Sequence, residues 1–483
     1  MERADIAIVG AGIGGLGLGA RLREAGRRSF AVLEADKGIG GTWRANTYPG
    51  LACDVPSHLY SYSFAPRSDW TRRYPPQDEI MSYLEEFADE RGLRPHLQLG
   101  TQAAAARFDP AQQRWQLKLN DNQEMSARVL VTACGQLRVP HVPPFQGLED
   151  FEGEWWHSAR WKHSFDPRGK RMAVIGSGAT AIQIVPELAK VCARVDVFQR
   201  TPPWLIPRHD RPYARAERRL FAAVPGLRRA YRSLLFLRQE SLRLGFKPGS
   251  LASRALTRYA RWRLESQVDD PQLRRALTPS YPIGCKRILV SDDYYPALTR
   301  HNVELVTEGI DRFTPAGIRT REGTERELDA VVFATGFDSQ ALVAPMRVEG
   351  ADGRELEEAW KDGPYAHLGL TVPGFPNLFL LYGPNTNLGH NSIIFMMEAQ
   401  IAHVLGCLDE LDRRGARRIE VRPEVAERFD RRTQERLRSS VFNQGCSSWY
   451  KTSTGRVVNN WPGSATEYWR AVRRPETRDF SLT

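Results

Sequence analysis

Glycines at fixed spacing behind a short apolar strand are what a chain needs to hold a pyrophosphate, and this sequence offers two such places. In the first, Asp5 to Val9 reads as the strand and Gly10-Ala11-Gly12-Ile13-Gly14-Gly15 as the turn that opens a helix over Leu16 to Glu24. Gly10 permits the tight turn, Gly12 lets the backbone approach the phosphates at the helix N-terminus, and Gly15 allows close helix-strand packing; Ile13 and Gly14 complete the loop. Glu34, at the end of the next strand, Phe30 to Leu33, is placed to accept hydrogen bonds from the ribose hydroxyls of an adenosine. Glycines also make ordinary turns. The strand before, the helix behind and the acid at the right distance favour a dinucleotide.

The second place repeats the pattern: Arg171 to Ile175, then Gly176-Ser177-Gly178-Ala179-Thr180-Ala181, a helix through Ala193 and a strand Val195 to Gln199. No acid ends that strand. Arg200 and Thr201 stand there instead, a cation and a hydroxyl suited to a 2′-phosphate, which favours NADP over NAD; the plainer alternative is one more surface arginine. Two dinucleotide folds in one chain suggest two cofactors exchanging a hydride, a flavin and a nicotinamide.

The elements that must carry these loops follow from the same pattern. Strand, glycine turn, helix and strand used twice predict an α/β protein with two Rossmann-like dinucleotide-binding domains. Val129-Leu130-Val131-Thr132-Ala133-Cys134-Gly135 and Ala330-Val331-Val332-Phe333-Ala334-Thr335-Gly336 read as late strands returning to a sheet. Between Arg211 and Arg275, Arg and Leu recur at helical spacing with breaks at Pro225, Gly245 and Pro248-Gly249, which predicts a helical insertion whose charge run is a solvated face.

Composition sets the limits. The chain has 483 residues, 41% hydrophobic and 26% charged, enough for two or three domains and unlike a disordered, collagenous or coiled-coil chain. Its 68 Lys and Arg exceed its 57 Asp and Glu by 11, a balance that a dinucleotide phosphate satisfies without nucleic acid. Six scattered cysteines with no CxxC suggest neither a disulfide framework nor a zinc site and fit a reducing cytoplasm. The N-terminus carries two acids and breaks into glycines, unlike a signal peptide. The best membrane candidate, Ile393 to Leu408, is interrupted by Glu398, Gln400 and His403, so no membrane span is expected. No GxSxG elbow, HExxH helix, EF-hand loop or metal-spaced cluster occurs, and no metal is expected.

Further residues carry a family likeness. Phe151, Gly153, His157 and Trp161 spell FxGxxxHxxxW between the two glycine motifs. With them the chain resembles, nearly end to end, the class B flavoprotein monooxygenases and specifically the type I Baeyer-Villiger monooxygenases. Lys162 follows, where that family has Pro or Asp. The likeness implies that His157 holds the inter-domain linker. Gly40-Gly41-Thr42-Trp43-Arg44, Asn46, Tyr48-Pro49-Gly50, Asp54 and Tyr60 resemble the family's flavin-contacting segment. Gly284-Cys285-Lys286-Arg287 resembles the segment bearing its active-site arginine, with Arg287 matching that arginine and Lys286 the lysine that joins Arg200 and Thr201 at the 2′-phosphate. Ala334-Thr335-Gly336-Phe337-Asp338 resembles a motif passing close to both cofactors, Pro376 to Asn385 the last flavin-domain strand and the loop beneath the isoalloxazine, and Ser448-Trp449-Tyr450 the C-terminal loop lining the substrate pocket. Trp449 reads equally as core.

The resemblance implies an NADPH-dependent flavin monooxygenase. FAD reduced by NADPH captures O2 as a C4a-peroxyflavin, which attacks a ketone to give an ester or lactone. Arg287 then supplies a fixed positive charge at the reacting oxygens, and Asp54 pairs with it so that the cation is not left buried alone. The implied domains are an FAD-binding domain over 1–145, an NADP-binding domain over 146–325 with the insertion at about 208–276, and the rest of the FAD domain with the substrate loop over 326–483. The expected partners are a small ketone and O2, without nucleic acid or membrane. Oligomeric state and the particular ketone are not legible. An N- or S-oxygenating relative, or a silent dinucleotide-binding protein, remains open at this point.

Overall fold

The computed structural model describes residues 2–483. At its centre Glu2–Val9 runs parallel to Phe30–Glu34 on one side and to Glu124–Thr132 on the other. Ile6, Ile8, Val32, Val129 and Val131 are sealed from solvent, as β-branched residues are when both faces of a parallel sheet are covered. Leu97–Leu99 extends one edge; Arg114–Leu119 and Ala103–Asp109 continue the other antiparallel, and Leu378–Leu380 joins Glu124–Thr132. Beneath lies the helix Ile13–Glu24, whose Gly14, Gly15, Gly17 and Gly19 are all buried. Each helical glycine costs about 1 kcal/mol against alanine. The offset is close approach: a Cβ on Gly15 would fall 1.9 Å from the Gly10 carbonyl oxygen, and one on Gly17 2.8 Å from the Tyr62 ring.

A second sheet is wholly parallel, in the order Val303–Val306, Arg194–Phe198, Arg171–Ile175, Ala330–Phe333, Glu154–His157. Two findings here depart from the sequence expectation. Ala330–Phe333, assigned to the flavin part by the limit at 325/326, pairs with Arg171–Ile175 and Glu154–His157 in the second sheet, so the crossing back to the first domain follows it. A short apolar strand ending in small residues suits either sheet, and nothing local says which. Second, Cys285 and Cys446 are joined by a disulfide, with Cα atoms 6.2 Å apart across 161 residues of sequence. Scattered spacing hid a pair that only the tertiary fold brings together.

The insertion is helical as expected, over Arg215–Ala223, Pro225–Leu242, Leu251–Glu265 and Pro271–Ala276. Its inner side is fixed to the first domain. Glu240 accepts hydrogen bonds from His390 Nε2 at 3.1 Å, Asn391 Nδ2 at 2.9 Å and the Ala465 amide at 3.1 Å, and the Phe236 and Phe395 rings lie 4.8 Å apart. These donors hold the Glu240 carboxylate down at a pKa of about 2 against the opposing effect of burial. Ile393–Arg414 is a core helix in which Gln400 receives the Tyr382 amide and donates to the Tyr468 hydroxyl. Among the described residues no helix is long and apolar enough to cross a membrane.

Candidate active site

The first glycine loop forms a cradle that a side chain would fill. Gly10 has φ +109°, and a Cβ there would sit 2.6 Å from the Ala133 carbonyl oxygen. Gly12 starts the helix with no side-chain cap, and the first intrahelical bond runs from the Leu16 amide to Gly12, leaving the amides of Ile13, Gly14 and Gly15 for a ligand. Gly41 closes over Gly12: its Cβ would lie 3.1 Å from the Gly12 Cα. Glu34 is held at the mouth by the amides of Ala11 at 2.8 Å and Asp36 at 2.9 Å and keeps acceptor capacity for a ribose. Thr42 is exposed, while Trp43 is buried and donates its indole N–H to the Tyr60 hydroxyl at 2.9 Å. Tyr60 stays protonated, its pKa raised chiefly by burial, and retains its own O–H. Backbone donors, a carboxylate at the mouth and an aromatic wall suit FAD.

At the second loop Gly176 has φ +125° and a Cβ there would meet the Ala334 carbonyl oxygen at 2.3 Å, whereas one on Gly178 would meet open space. Ser177 donates to the Thr201 carbonyl at 2.8 Å, fixing the loop to the strand end. Ala179, Thr180 and Ala181 lead into the helix Ala181–Val191. Arg200 is exposed beside Lys286, whose pKa is lowered by burial first and by Arg200 second. Neither cation has a carboxylate partner among the described residues. Two converging cations with no acid suit a phosphate dianion, hence NADP.

The two domains meet across Tyr48 to Asp54. Tyr48 donates to Gln183 Oε1 at 3.1 Å, Gln183 Nε2 donates to the Ala52 carbonyl at 2.9 Å, and Gly50, at φ +79°, would place a Cβ 2.7 Å from the Gln183 oxygen. A cleft of about 290 Å³ opens along this seam on Tyr48, Gly50, Leu51 and Ala52. Beyond it, Arg287 donates from Nη2 to Asp54 Oδ2, joining the second domain to the first. Asp54 raises the Arg287 pKa further, burial opposes it, and Tyr450 and Tyr382 add to the rise. Side-chain exposures of 36% for Arg287 and 29% for Asp54 leave the pair partly open to solvent.

Around this pair stand Tyr382 and Tyr450, which fall in segments that the resemblance named, and Asn387, Asn460 and Arg208, which no motif singled out. Tyr382 donates to Asn387 Oδ1 at 2.7 Å, and Asn387 Nδ2 to Asn460 Oδ1 at 2.8 Å. Tyr450 is fully buried, and its hydroxyl lies near the Asn460 side chain without a well-formed hydrogen bond. Burial pushes its pKa up to about 12 although Arg287 pulls the other way, so it remains a donor. Arg208 donates to the Cys53 carbonyl at 2.9 Å. Single tyrosines and asparagines in loops carry no spacing signal. The C-terminal loop itself is pinned by the Cys285–Cys446 bond and by Ser339 Oγ, which donates to the Trp449 carbonyl at 2.9 Å. Trp449 is half-buried against Tyr450, with ring centroids 4.6 Å apart.

The fingerprint residues lie away from Arg287, at the edge of the second sheet. Phe151 is in the core beside Phe313, and its ring stands where a Cβ on Gly153 would fall, 2.3 Å away. His157 Nε2 donates to the Gly336 carbonyl at 2.9 Å, while Nδ1 accepts the Ala159 amide, a tautomer that this pattern fixes. Trp161 stacks edge-on against Trp156 at 5.6 Å, and Lys162 pairs with Glu154 on the surface.

Two dinucleotide-type folds joined across one seam, with a glycine loop on each side and the cation pair Arg200 and Lys286 beside the second, are the arrangement of a flavin-dependent monooxygenase fold. Residues 3–217 match the flavin-binding monooxygenase-like family. The chain is 43% identical over 484 residues to a Baeyer-Villiger monooxygenase of Pseudomonas aeruginosa, covering 100% of this chain and 92% of that protein. Among solved structures, oxidized steroid monooxygenase bound to NADP superposes with a TM-score of 0.90 at 32% identity, covering 99% of each chain. The OTEMO complex with FAD and NADP gives 0.89 at 27% identity, again covering 99% of each. The chain therefore belongs to the Baeyer-Villiger monooxygenase family.

Proposed function

We propose that this enzyme inserts one oxygen atom of O2 beside the carbonyl of a small ketone, giving an ester or lactone, and that Arg287 and Asp54 are the side chains that make the insertion possible. FAD and NADPH, when bound, supply the oxygen-transfer and hydride chemistry. The chain's own part is to hold, orient and shield. Gly10 to Gly15 and Glu34 hold one dinucleotide, with Gly41, Thr42, Trp43 and Tyr60 against its far end. Gly176 to Ala181, Arg200, Thr201 and Lys286 hold the other.

The observation that carries this reading is the Arg287–Asp54 bond across the domain seam. A guanidinium paired through one edge keeps other N–H donors for the negative charge that develops on the substrate oxygen. Asp54 fixes its direction and offsets the cost of holding the cation in a crevice. His157, through Gly336, keeps the end of the strand Ala330–Phe333 in place. The domain limits we adopt are 1–145, a second unit extended through Gly336, and the remainder, a division that the strand pairing supports. A cytoplasmic location suits a consumer of NADPH.

The test is Arg287→Ala. It should retain stoichiometric FAD and near-normal NADPH oxidation, with ester formation reduced by about a hundredfold or more, as for loss of a transition-state donor. Ester formation at the wild-type rate would remove Arg287 from the chemistry.

A further inference from the structure

We propose that the outer face of the helical insertion is a peripheral docking surface for an anionic lipid bilayer. Two independent features converge there. The first is apolar exposure: of the exposed large hydrophobic side chains among the described residues, nine lie between 220 and 262 and only Leu99, Trp155 and Val191 lie elsewhere. They are ordered. On Pro225–Leu242, Leu227, Ala230, Leu234 and Leu237 are exposed at intervals of three and four, one stripe of a helix, while Tyr231, Leu235 and Phe236 do the inward packing. On Leu251–Glu265 the exposed stripe is Leu251, Ala255, Tyr259 and Trp262, with Leu251 81% and Trp262 56% open to solvent.

The second feature is charge. Residues 208–276 hold 17 of the 68 Lys and Arg but only 6 of the 57 Asp and Glu. Their excess of 11 equals that of the whole chain, and the remaining residues carry 51 of each sign. Arg229, Arg238, Arg254, Arg258 and Arg261 are exposed on the same two helices, and none is in an ion pair among the described residues.

One occupant satisfies both. A second copy would bury the leucines but would set one net charge of +11 against another at close range. Nucleic acid would take the arginines and leave Leu234, Leu237, Leu251 and Trp262 in water. A membrane interface accepts leucines and tryptophan at the acyl boundary and arginines at anionic headgroups, which is the composition of helices that lie on bilayers without crossing them. The inner face is already committed, through Glu240, Phe236 and the bond from Arg232 to the His58 carbonyl, so the insertion presents its outer face as a fixed platform.

The experiment is sedimentation of the full-length, FAD-loaded protein with vesicles of phosphatidylcholine alone and of phosphatidylcholine mixed with phosphatidylglycerol. Binding is expected to the mixed vesicles, weakening as salt is raised. The double variant Leu234→Ser, Leu237→Ser, and separately Trp262→Ala, should each lower the partition coefficient by about tenfold or more, with FAD content and melting temperature unchanged, because these side chains are exposed. Three results would overturn the proposal. One is absence of binding to the mixed vesicles. Another is binding that the leucine variants leave intact, which with parallel binding to duplex DNA would mark a general polyanion surface. The last is a concentration-dependent dimer that the leucine variants abolish.

Discussion

A guanidinium that touches one carboxylate and faces two phenols is a group whose worth lies in what its remaining donors can reach. Tyr450 stands close to it: it is buried and protonated, and apart from the neighbouring Asn460 side chain its hydroxyl has nothing to donate to. Tyr450→Phe preserves its ring contacts with Phe442 and Trp449 and removes only the hydroxyl. We expect kcat for ester formation to fall about tenfold, with KM for NADPH and melting temperature unchanged; an unaltered kcat would assign Tyr450 to packing alone. Arg200 and Lys286 make a second prediction at this scale. Arg200→Ala should raise KM for NADPH by about ten- to a hundredfold, the loss of a charge-assisted contact, and leave KM for NADH nearly unchanged. Lys286, freed of its like-charged neighbour, should also titrate higher in that variant. Equal effects on both nucleotides would place the 2′-phosphate elsewhere. The glycines, Glu34 and Arg200 stand out because a pyrophosphate and a ribose dictate spacing, and Tyr450 lay in a segment that the resemblance named, whereas Asn387 and Arg208 could not be read, since contacts between distant loops impose no spacing.

At the scale of elements, strands and helices of both glycine units emerge where apolar periodicity and capping residues put them, within a few residues. Ala330–Phe333 is the instructive exception. Its composition forces a buried strand, but membership in the second sheet comes from pairing with Arg171–Ile175, far away in sequence, with Glu154–His157 added on its other edge. The Cys285–Cys446 bond has the same character, tying the residue two before Arg287 to the loop that bears Trp449 and Tyr450. Reduction, or the Cys285→Ser, Cys446→Ser double variant, should free that loop while leaving both sheets intact. Limited proteolysis should then cut between 443 and 456 several times faster, and KM for the ketone should rise several-fold without loss of FAD. Unchanged proteolysis would show that the hydrogen bonds from Ser339 and Gln340 suffice to hold it.

Over the whole molecule, the sequence showed two dinucleotide domains and a basic helical insertion, but the average charge concealed that one segment, residues 208–276, carries all the excess. Burial is likewise invisible in composition, and it makes a prediction about acid. His58, caged by Tyr213, Phe221 and Tyr231, has its pKa lowered to about 4, mainly by burial, with Arg228 and Arg232 adding to the fall. His403 is lowered to about 4 by burial and His367 to about 3 by burial and by His403. One ring nitrogen of His58 and one of His403 lack any hydrogen-bond partner, and the carboxylate that faces His367 Nε2, that of Asp479, stands 3.8 Å away, beyond hydrogen-bond reach. All three therefore stay neutral when folded and take up protons when unfolded, from the ordinary value of 6.5 downward. Unfolding then binds more protons, so the stability present above pH 6.5 is lost as pH falls toward about 4. Each histidine contributes about 1 kcal/mol of that loss over the first pH unit below its unfolded pKa. The melting temperature should drop by several degrees over that unit, and His58→Gln, lacking a titrating ring, should flatten the slope by about a third. A melting temperature that stays level over the same range would mean that these rings are hydrated and already protonated in the folded chain.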